Sequence, residues 1–271
     1  MNWKLKLLPR NGREDAVSEA IGFLLIFSLV MVGIGLVTLY GYPMLLETQS
    51  NANVRNMERD MIVLQNDMKS LVYKNVPYKE TSLQVSGGAL AVYNSTVSPA
   101  EFSISVSNSD DDGYINGNFT PIQSGQFRYE SDAGEAIIVL ENGAVLTRME
   151  FQNGSAMLSE PRWFIDENEE TGNNTFIITF MSINTDSVMS RNGIGTVKMQ
   201  MVHSDPPLQF TDTDNMTVTV TYNKDSAYDF SKAWENYFVN SLKMTKSGSS
   251  YYRGDIHTLV IKSYDIKIAS I

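Results

Sequence analysis

The chain has 271 residues, no cysteine, two histidines and a formal net charge of −10 at pH 7. That length allows one large domain or two small ones. The composition excludes a disulfide framework and thiol chemistry, and an acidic body disfavours a nucleic-acid partner because it repels phosphate. The charge is uneven along the chain. Residues 1–15 form a basic leader carrying Lys4, Lys6, Arg10 and Arg13, with Glu14 and Asp15 as its only acids.

Residues 16–46 come next. No charged residue occurs from Ala20 to Leu46. A membrane-spanning helix needs about 20 apolar residues, and the apolar core of an ordinary secretory signal is only about 7–15 residues long. No small-residue cleavage site follows the run, which continues as "YGYPMLLETQ". The segment therefore reads as a retained transmembrane helix. Its basic flank places the N-terminus in the cytoplasm and the C-terminal body outside the cell membrane. Tyr40 and Tyr42 fall where an aromatic belt would lie, and Gly41 and Pro43 are expected to bend the helix. Glu19 sits at the opening of the run. A carboxylate there is tolerated at an interface and costly deeper; Glu19 either sits at the headgroup level or gains near an amine or a helix N-terminus of another subunit.

The stretch "REDAVSEAIGFLLIF" resembles the class III signal segment of archaeal type IV pilin-like proteins. Ala16, Val17, Ser18, Ile21 and Gly22 match the A-V-S-x-x-I-G run of that family, and Arg13 lies in the matching leader. The commonest haloarchaeal form has Pro where this chain has Glu19. The resemblance implies cutting by a prepilin peptidase within Glu14, Asp15 and Ala16. A cut before Asp15 matches bacterial pilins, and a cut before Ala16 matches the archaeal pattern. It also implies that Ser18, Glu19 and Gly22 serve assembly with other pilin-like subunits. "VRNMERDMIVLQNDMKSL" looks like the juxtamembrane segment of archaeal pilin-like membrane proteins with β-rich bodies. That likeness implies no biochemical activity.

Residues 47–76 read as an amphipathic juxtamembrane helix. Val54, Met57, Met61, Leu64, Met68 and Leu71 recur at spacings of three and four, as in a heptad seam. Arg55, Glu58, Arg59, Asp60, Gln65, Asn66, Asp67 and Lys69 form the expected wet face. The seam packs either on neighbouring subunits or on the chain's own β-domain. It is too short for a coiled coil, and its three methionines specify partners poorly, which favours the second arrangement.

From residue 81 to residue 271 the pattern changes to period two. Phe102, Ile104 and Val106 alternate with serines, and Asn142-Gly143 and Asn153-Gly154 mark hairpins. Asn192-Gly193 falls in an expected loop. Roughly eleven short strands with such turns predict an antiparallel β-sandwich-like ectodomain. The predicted fold is thus mainly β with a long N-terminal α-helix. A late helix is predicted from a Ser226/Asp229 cap, with Phe230, Trp234, Tyr237 and Phe238 on one face. This aromatic stripe suits a core helix better than a carbohydrate platform. The final "IHTLVIKSYDIKIASI" reads as two strand-like runs.

No cofactor is expected apart from a calcium candidate. Asn108, Asp110 and Asp112 with Gly113 have EF-loop spacing, but Phe119 replaces the bidentate acid. A solvated acidic hairpin loop fits this segment better. "DENEE" at Asp166–Glu170 has no basic neighbour in sequence and reads as a solvated loop. No nucleophile elbow, P-loop, zincin or dinucleotide motif occurs, so no enzyme activity is expected. Candidate glycosylation acceptors are Asn94, Asn118, Asn153, Asn173 and Asn215, all in the body, as export requires. The sequence therefore suggests a pilin-like structural or adhesive surface subunit. The alternative is a monomeric membrane-anchored ectodomain that binds a ligand or glycan and does not assemble.

Overall fold

The computed structural model describes residues 12–74, 76–97, 100–108, 119–132, 134, 136–149, 153–168, 170, 172–224 and 228–271. The chain divides into two compact units, Met1–Asn51 and Ala52–Ile271. In the first, α1 (Gly12–Leu36) passes through a π-helical turn (Val37–Gly41) into α2 (Tyr42–Tyr73). The bend expected at Gly41 and Pro43 coincides with this π-helical turn. Proline lacks an N–H and its ring crowds the carbonyl four residues back. Here the preceding turn is one residue wider, with the Tyr42 N–H bonded to the Val37 carbonyl. Such π turns are a known way for a helix to carry a disruption.

In the second unit, α2 buries Val54, Met57, Met61, Leu64, Met68, Leu71 and Val72. The strands described are β1 (Tyr78–Tyr93), β2 (Glu101–Asn108), β3 (Phe119–Gln123), β4 (Gln126–Ser131), β5 (Ala136–Glu141), β6 (Ala144–Met149), β7 (Ala156–Ser159), β8 (Phe164–Asp166), β9 (Asn174–Thr185), β10 (Met189–Ser204), β11 (Leu208–Asn223), β12 (Thr245–Ser247) and β13 (Ser250–Ser270). They form one hydrogen-bonded sheet in the order β3-β2-β11-β13-β10-β1-β4-β5-β6-β7. Additional pairings join β9 and β12 to β13, and β8 to β9. The sheet is mainly antiparallel, with β9 running parallel to β13.

The C-terminal stretch expected as two runs is a single strand of 21 residues. β10 and β11 follow it in succession, with Ser204 opposite Tyr264 and Leu208 opposite Ile261. Asp205, Pro206 and Pro207 separate them because two prolines have no N–H for the ladder. Asn192-Gly193 also departs from expectation. It lies inside β10, where the register against β1 shifts between Val85 and Leu90. Gly193 has φ +76°, and the extra residues of the irregularity lie on β1, where residues 86–89 face Asn192.

Two apolar cores result. One gathers Phe102, Trp163, Phe176, Phe180, Trp234 and Phe238 with their neighbours. The other gathers the buried residues of α2 with Leu83, Phe127, Val197, Met199 and Ile266. The β5–β6 hairpin stands between them. Ile137, Val139 and Leu146 enter the first core, and Ile138, Leu140 and Val145 the second. Strands buried on both faces lose the polar alternation of a half-exposed sheet, as "AIIVLE" shows. Asn142 and Gly143 close this hairpin at φ 47° and 71°, the two positive values a tight primed turn requires.

Gln65 ties α2 to that turn. It is fully buried, although the sequence pattern put it on the wet face. Its Nε2 donates to the Gly143 carbonyl at 2.6 Å and the Glu160 carbonyl at 3.0 Å, and its Oε1 accepts from Ser159 Oγ at 2.6 Å. A buried amide is tolerated because its bonds are made.

Candidate functional site

The residues with the strongest unmet physical demand lie on α1 and the first turns of α2. Ile21, Leu25, Phe27, Leu29, Ile34, Tyr40 and Leu45 are all exposed, Phe23 at 71% and Leu39 at 70%. Soluble surfaces rarely carry a contiguous apolar patch above a few hundred Å². A helix apolar on every side belongs in a protein core or a membrane. The charge-free stretch Ala20–Leu46 spans about 40 Å at 1.5 Å per residue, enough to cross the ~30 Å hydrocarbon layer of a bilayer. Its serine and threonine hydroxyls are bonded within the helix. Ser28 Oγ donates to the Leu24 carbonyl at 2.7 Å, Thr38 Oγ1 to Ile34 at 2.9 Å and, just past the stretch, Thr48 Oγ1 to Met44 at 2.8 Å. Backbone groups within a helix are likewise satisfied internally, the condition hydrocarbon imposes. Phe23 and Phe27 stack one turn apart, with centroids 6.3 Å apart.

Ser18 and Glu19 are exposed at the opening of this surface. Gly22 has no atom within 4 Å of where a side chain would begin. Glu14, Asp15 and Ala16 lie in the helical backbone of α1, and their side chains are outside the described residues. Val54, Met57, Met61, Leu64, Met68 and Leu71 do not share the exposure of α1. They are covered by the β-strands of their own unit.

The calcium candidate lies outside the described residues at Asp110 and Asp112, and only the backbone of Asn108 is described, at the end of β2. Among the described residues no group of three or more His, Asp or Glu side chains is placed to hold a metal. His203 Nε2 meets Asp205 Oδ1 at 2.9 Å on the surface.

Three polar constellations that sequence reasoning did not assemble are structural clasps. Glu141, buried at the end of β5, accepts from Trp234 Nε1 at 2.8 Å and Tyr222 Oη at 3.1 Å. It thereby fixes α3 (Ser231–Asn236) and β11 over the aromatic core. Arg253 grips Asp255 through two bonds, 2.6 and 2.7 Å, reaches Glu167 at 2.9 Å and donates to the Leu242 carbonyl at 3.1 Å. Hydrogen bonds from Arg253 and Lys243 hold the Glu167 carboxyl below its ordinary range, and Arg253 does the same for Asp255. The "DENEE" loop therefore has cationic partners that lie far away in sequence. The third clasp centres on Lys69, whose pKa burial lowers. Lys69 Nζ donates to the Glu160 carbonyl at 3.2 Å. These groups are paired with one another and present no nucleophile beside a base.

One signal for Gln65 was available. It falls four residues after Met61 and three before Met68, which is the buried phase. Glu141 and Arg253 had no such signal, because their partners come from distant strands.

The predicted late helix starts later than its expected cap. Phe230 precedes α3 without a side-chain cap bond, and the Ser231 N–H bonds to Asp229 Oδ1 at 2.9 Å. Ser226 is outside the described residues. Phe230, Trp234, Tyr237 and Phe238 are buried in the first core, and burial pushes the Tyr237 hydroxyl pKa up.

The candidate glycosylation acceptors differ in setting. Asn94 is half-buried, and its Nδ2 donates to the Thr185 carbonyl at 2.7 Å. Asn215 is half-buried, with φ 62°, in a register shift of β11. Asn153 and Asn173 are exposed, and Asn118 is outside the described residues. Asn153 lies on the rim of an open depression of about 420 Å³ lined by Arg148, Asp229, Ser231, Lys232 and Glu235.

No curated protein and no solved structure matches the chain. A family model matches residues 16–268, nearly all of the described chain, and by that match the chain belongs to the family of unknown function DUF7289.

Proposed function

We propose that this is a pilin-like surface protein. Its α1 helix spans the cell membrane, and its β-rich body stands outside as a structural or adhesive surface. The observation that carries this reading is the uncovered apolar surface of α1 with its internally satisfied hydroxyls. Burial outside water stabilises such a surface by about 25 cal/mol per Å². The basic leader supports the orientation, and the A-V-S-x-x-I-G resemblance supports removal of that leader by a prepilin peptidase. With the Val54–Leu71 seam spent on the chain's own body, the surface left for packing on other subunits is Ser18–Leu46. Glu19 sets register at its mouth.

The test is the N-terminal sequence of the protein purified from its own cell membrane. A start at Asp15 or Ala16 is expected. An intact leader back to Arg13 and beyond would overturn processing. It would favour the second reading, an anchored ectodomain that binds a ligand or glycan without assembling. That second reading draws on the same buried seam, which leaves the body no apolar helix face to offer neighbours. The two readings separate again at Glu19→Ala, which impairs assembly into higher-order complexes in the first and leaves a plain anchor unchanged.

A further inference from the structure

We infer that Asn153 carries a glycan on the body's surface. The inference rests on the exported-body reading above. Asn153-Gly154-Ser155 meets the acceptor pattern, and so do four other asparagines. Asn153 and Asn173 are exposed, whereas Asn94 and Asn215 are half-buried.

Asn94 Nδ2 donates to the Thr185 carbonyl at 2.7 Å, and a sugar would replace one of its two hydrogens. Asn94 Oδ1 also accepts from the Thr96 N–H at 3.0 Å, so its amide is held on both sides in a half-buried site. Asn215 sits in the left-handed backbone region within a strand irregularity, where a bulky amide substituent has the sheet beside it. Asn153 meets neither obstacle. It is exposed and precedes β7, and the neighbouring Gly154 has no atom within 4 Å of where a side chain would begin.

The surface beside Asn153 also suits a sugar. The depression of about 420 Å³ has room for the first residues of an oligosaccharide. Ser231, Lys232, Arg148 and the Glu235 carboxylate offer donors and acceptors to its hydroxyls. Ser155, the hydroxyl residue of the sequon, accepts from the Ala233 N–H at 3.0 Å in the folded body.

In the transfer, Asn153 Nδ2 forms a bond to the anomeric carbon of a lipid-phosphate-linked oligosaccharide. The bond from that carbon to the phosphate oxygen breaks, the lipid phosphate leaves with the electron pair, and the amide proton passes to a base of the transferase. No redox partner is needed.

The experiment is peptide mapping by mass spectrometry of the full chain from its native host, with Asn153→Gln and Asn94→Gln variants, alongside protease treatment of intact cells. The expected result is a sugar mass on the Asn153 peptide, lost from intact protein in N153Q and retained in N94Q. An unmodified Asn153 peptide on a body that protease removes from intact cells overturns this inference and leaves the surface reading standing. A sugar found on Asn94 and not on Asn153 also overturns it. A body protected from protease in intact cells overturns the surface reading and this inference with it.

Discussion

Residues 12–73 are helical from end to end, yet the two halves of this run have opposite surroundings. Around Leu29 and Leu39 every face is apolar and exposed. Around Met61 and Leu64 a single stripe is apolar and is sealed by β-strands, with both side chains at 0% exposure. Helix geometry is the same in both halves, so backbone propensity does not explain the difference. Side-chain patterning does. A stripe needs one partner face, whereas an all-round apolar surface needs a solvent other than water. The contrast assigns different energetic jobs to the same secondary structure. One half stabilises the body, and the other is long and apolar enough to cross a membrane.

The sharpest way to break this comparison is a matched pair of truncations. Leu64→Ala should destabilise the body by about 2–5 kcal/mol, read as a lower urea midpoint for the full chain in detergent. Leu29→Ala should leave that midpoint unchanged, and an equal loss from both would show that α1 is part of the body's core. The next largest effect tests residence. Leu29→Arg should cost about 2.5–3.5 kcal/mol of membrane insertion, measured as the protein's release from membranes by alkaline extraction. Gln65→Ala is expected to cost about 1–3 kcal/mol, because it strands the Gly143 and Glu160 carbonyls and the Ser159 hydroxyl. Gln65→Met, of similar length, should behave no better if those bonds matter, and unfolding curves of the two variants decide this.

The smallest effect is pH-dependent. Burial works against the Asp229 carboxylate, but hydrogen bonds from Lys224 and Ser231 outweigh it and hold its pKa at about 2. A carboxyl with a lowered folded pKa stabilises the native state above its ordinary pKa near 4. That contribution is lost as pH falls through about 2. Asp229 is 45% exposed, so screening keeps the effect below about 1 kcal/mol. Asp229→Asn should be slightly less stable at pH 7, with the difference shrinking as pH falls toward and below 2. A constant difference in thermal midpoint across that range would refute the assignment.

Local physics was legible in the sequence, and long-range pairing was not. The apolar run, the Met-rich stripe and the Asn142-Gly143 turn each follow from neighbours within a few residues, where periodicity and turn chemistry act. The π turn just before Pro43 was not legible, because no residue spacing announces it. Asn192-Gly193 misled because the dipeptide that favours a tight turn lies here inside a continuous strand, opposite an irregularity whose extra residues belong to β1. The parallel pairing of β9 with β13, the Glu141 clasp and the Arg253–Glu167 pair depend on contacts across many residues of chain. Alternation within a strand carries no record of which strand lies beside it. At the candidate site the apolar surface was plain in the sequence, whereas the difference between Asn94 and Asn153 required the fold.

β13 is the strand on which β9, β10, β11 and β12 all pair, and it begins roughly 200 residues after the apolar helix ends. At about 5–20 residues per second, the helix leaves the ribosome on the order of 10–40 s before the strand that completes the sheet. For that interval the sheet lacks the strand on which four others pair. The order of elements along the chain thus acts as a timer, with the apolar helix delivered first and the sheet completed last.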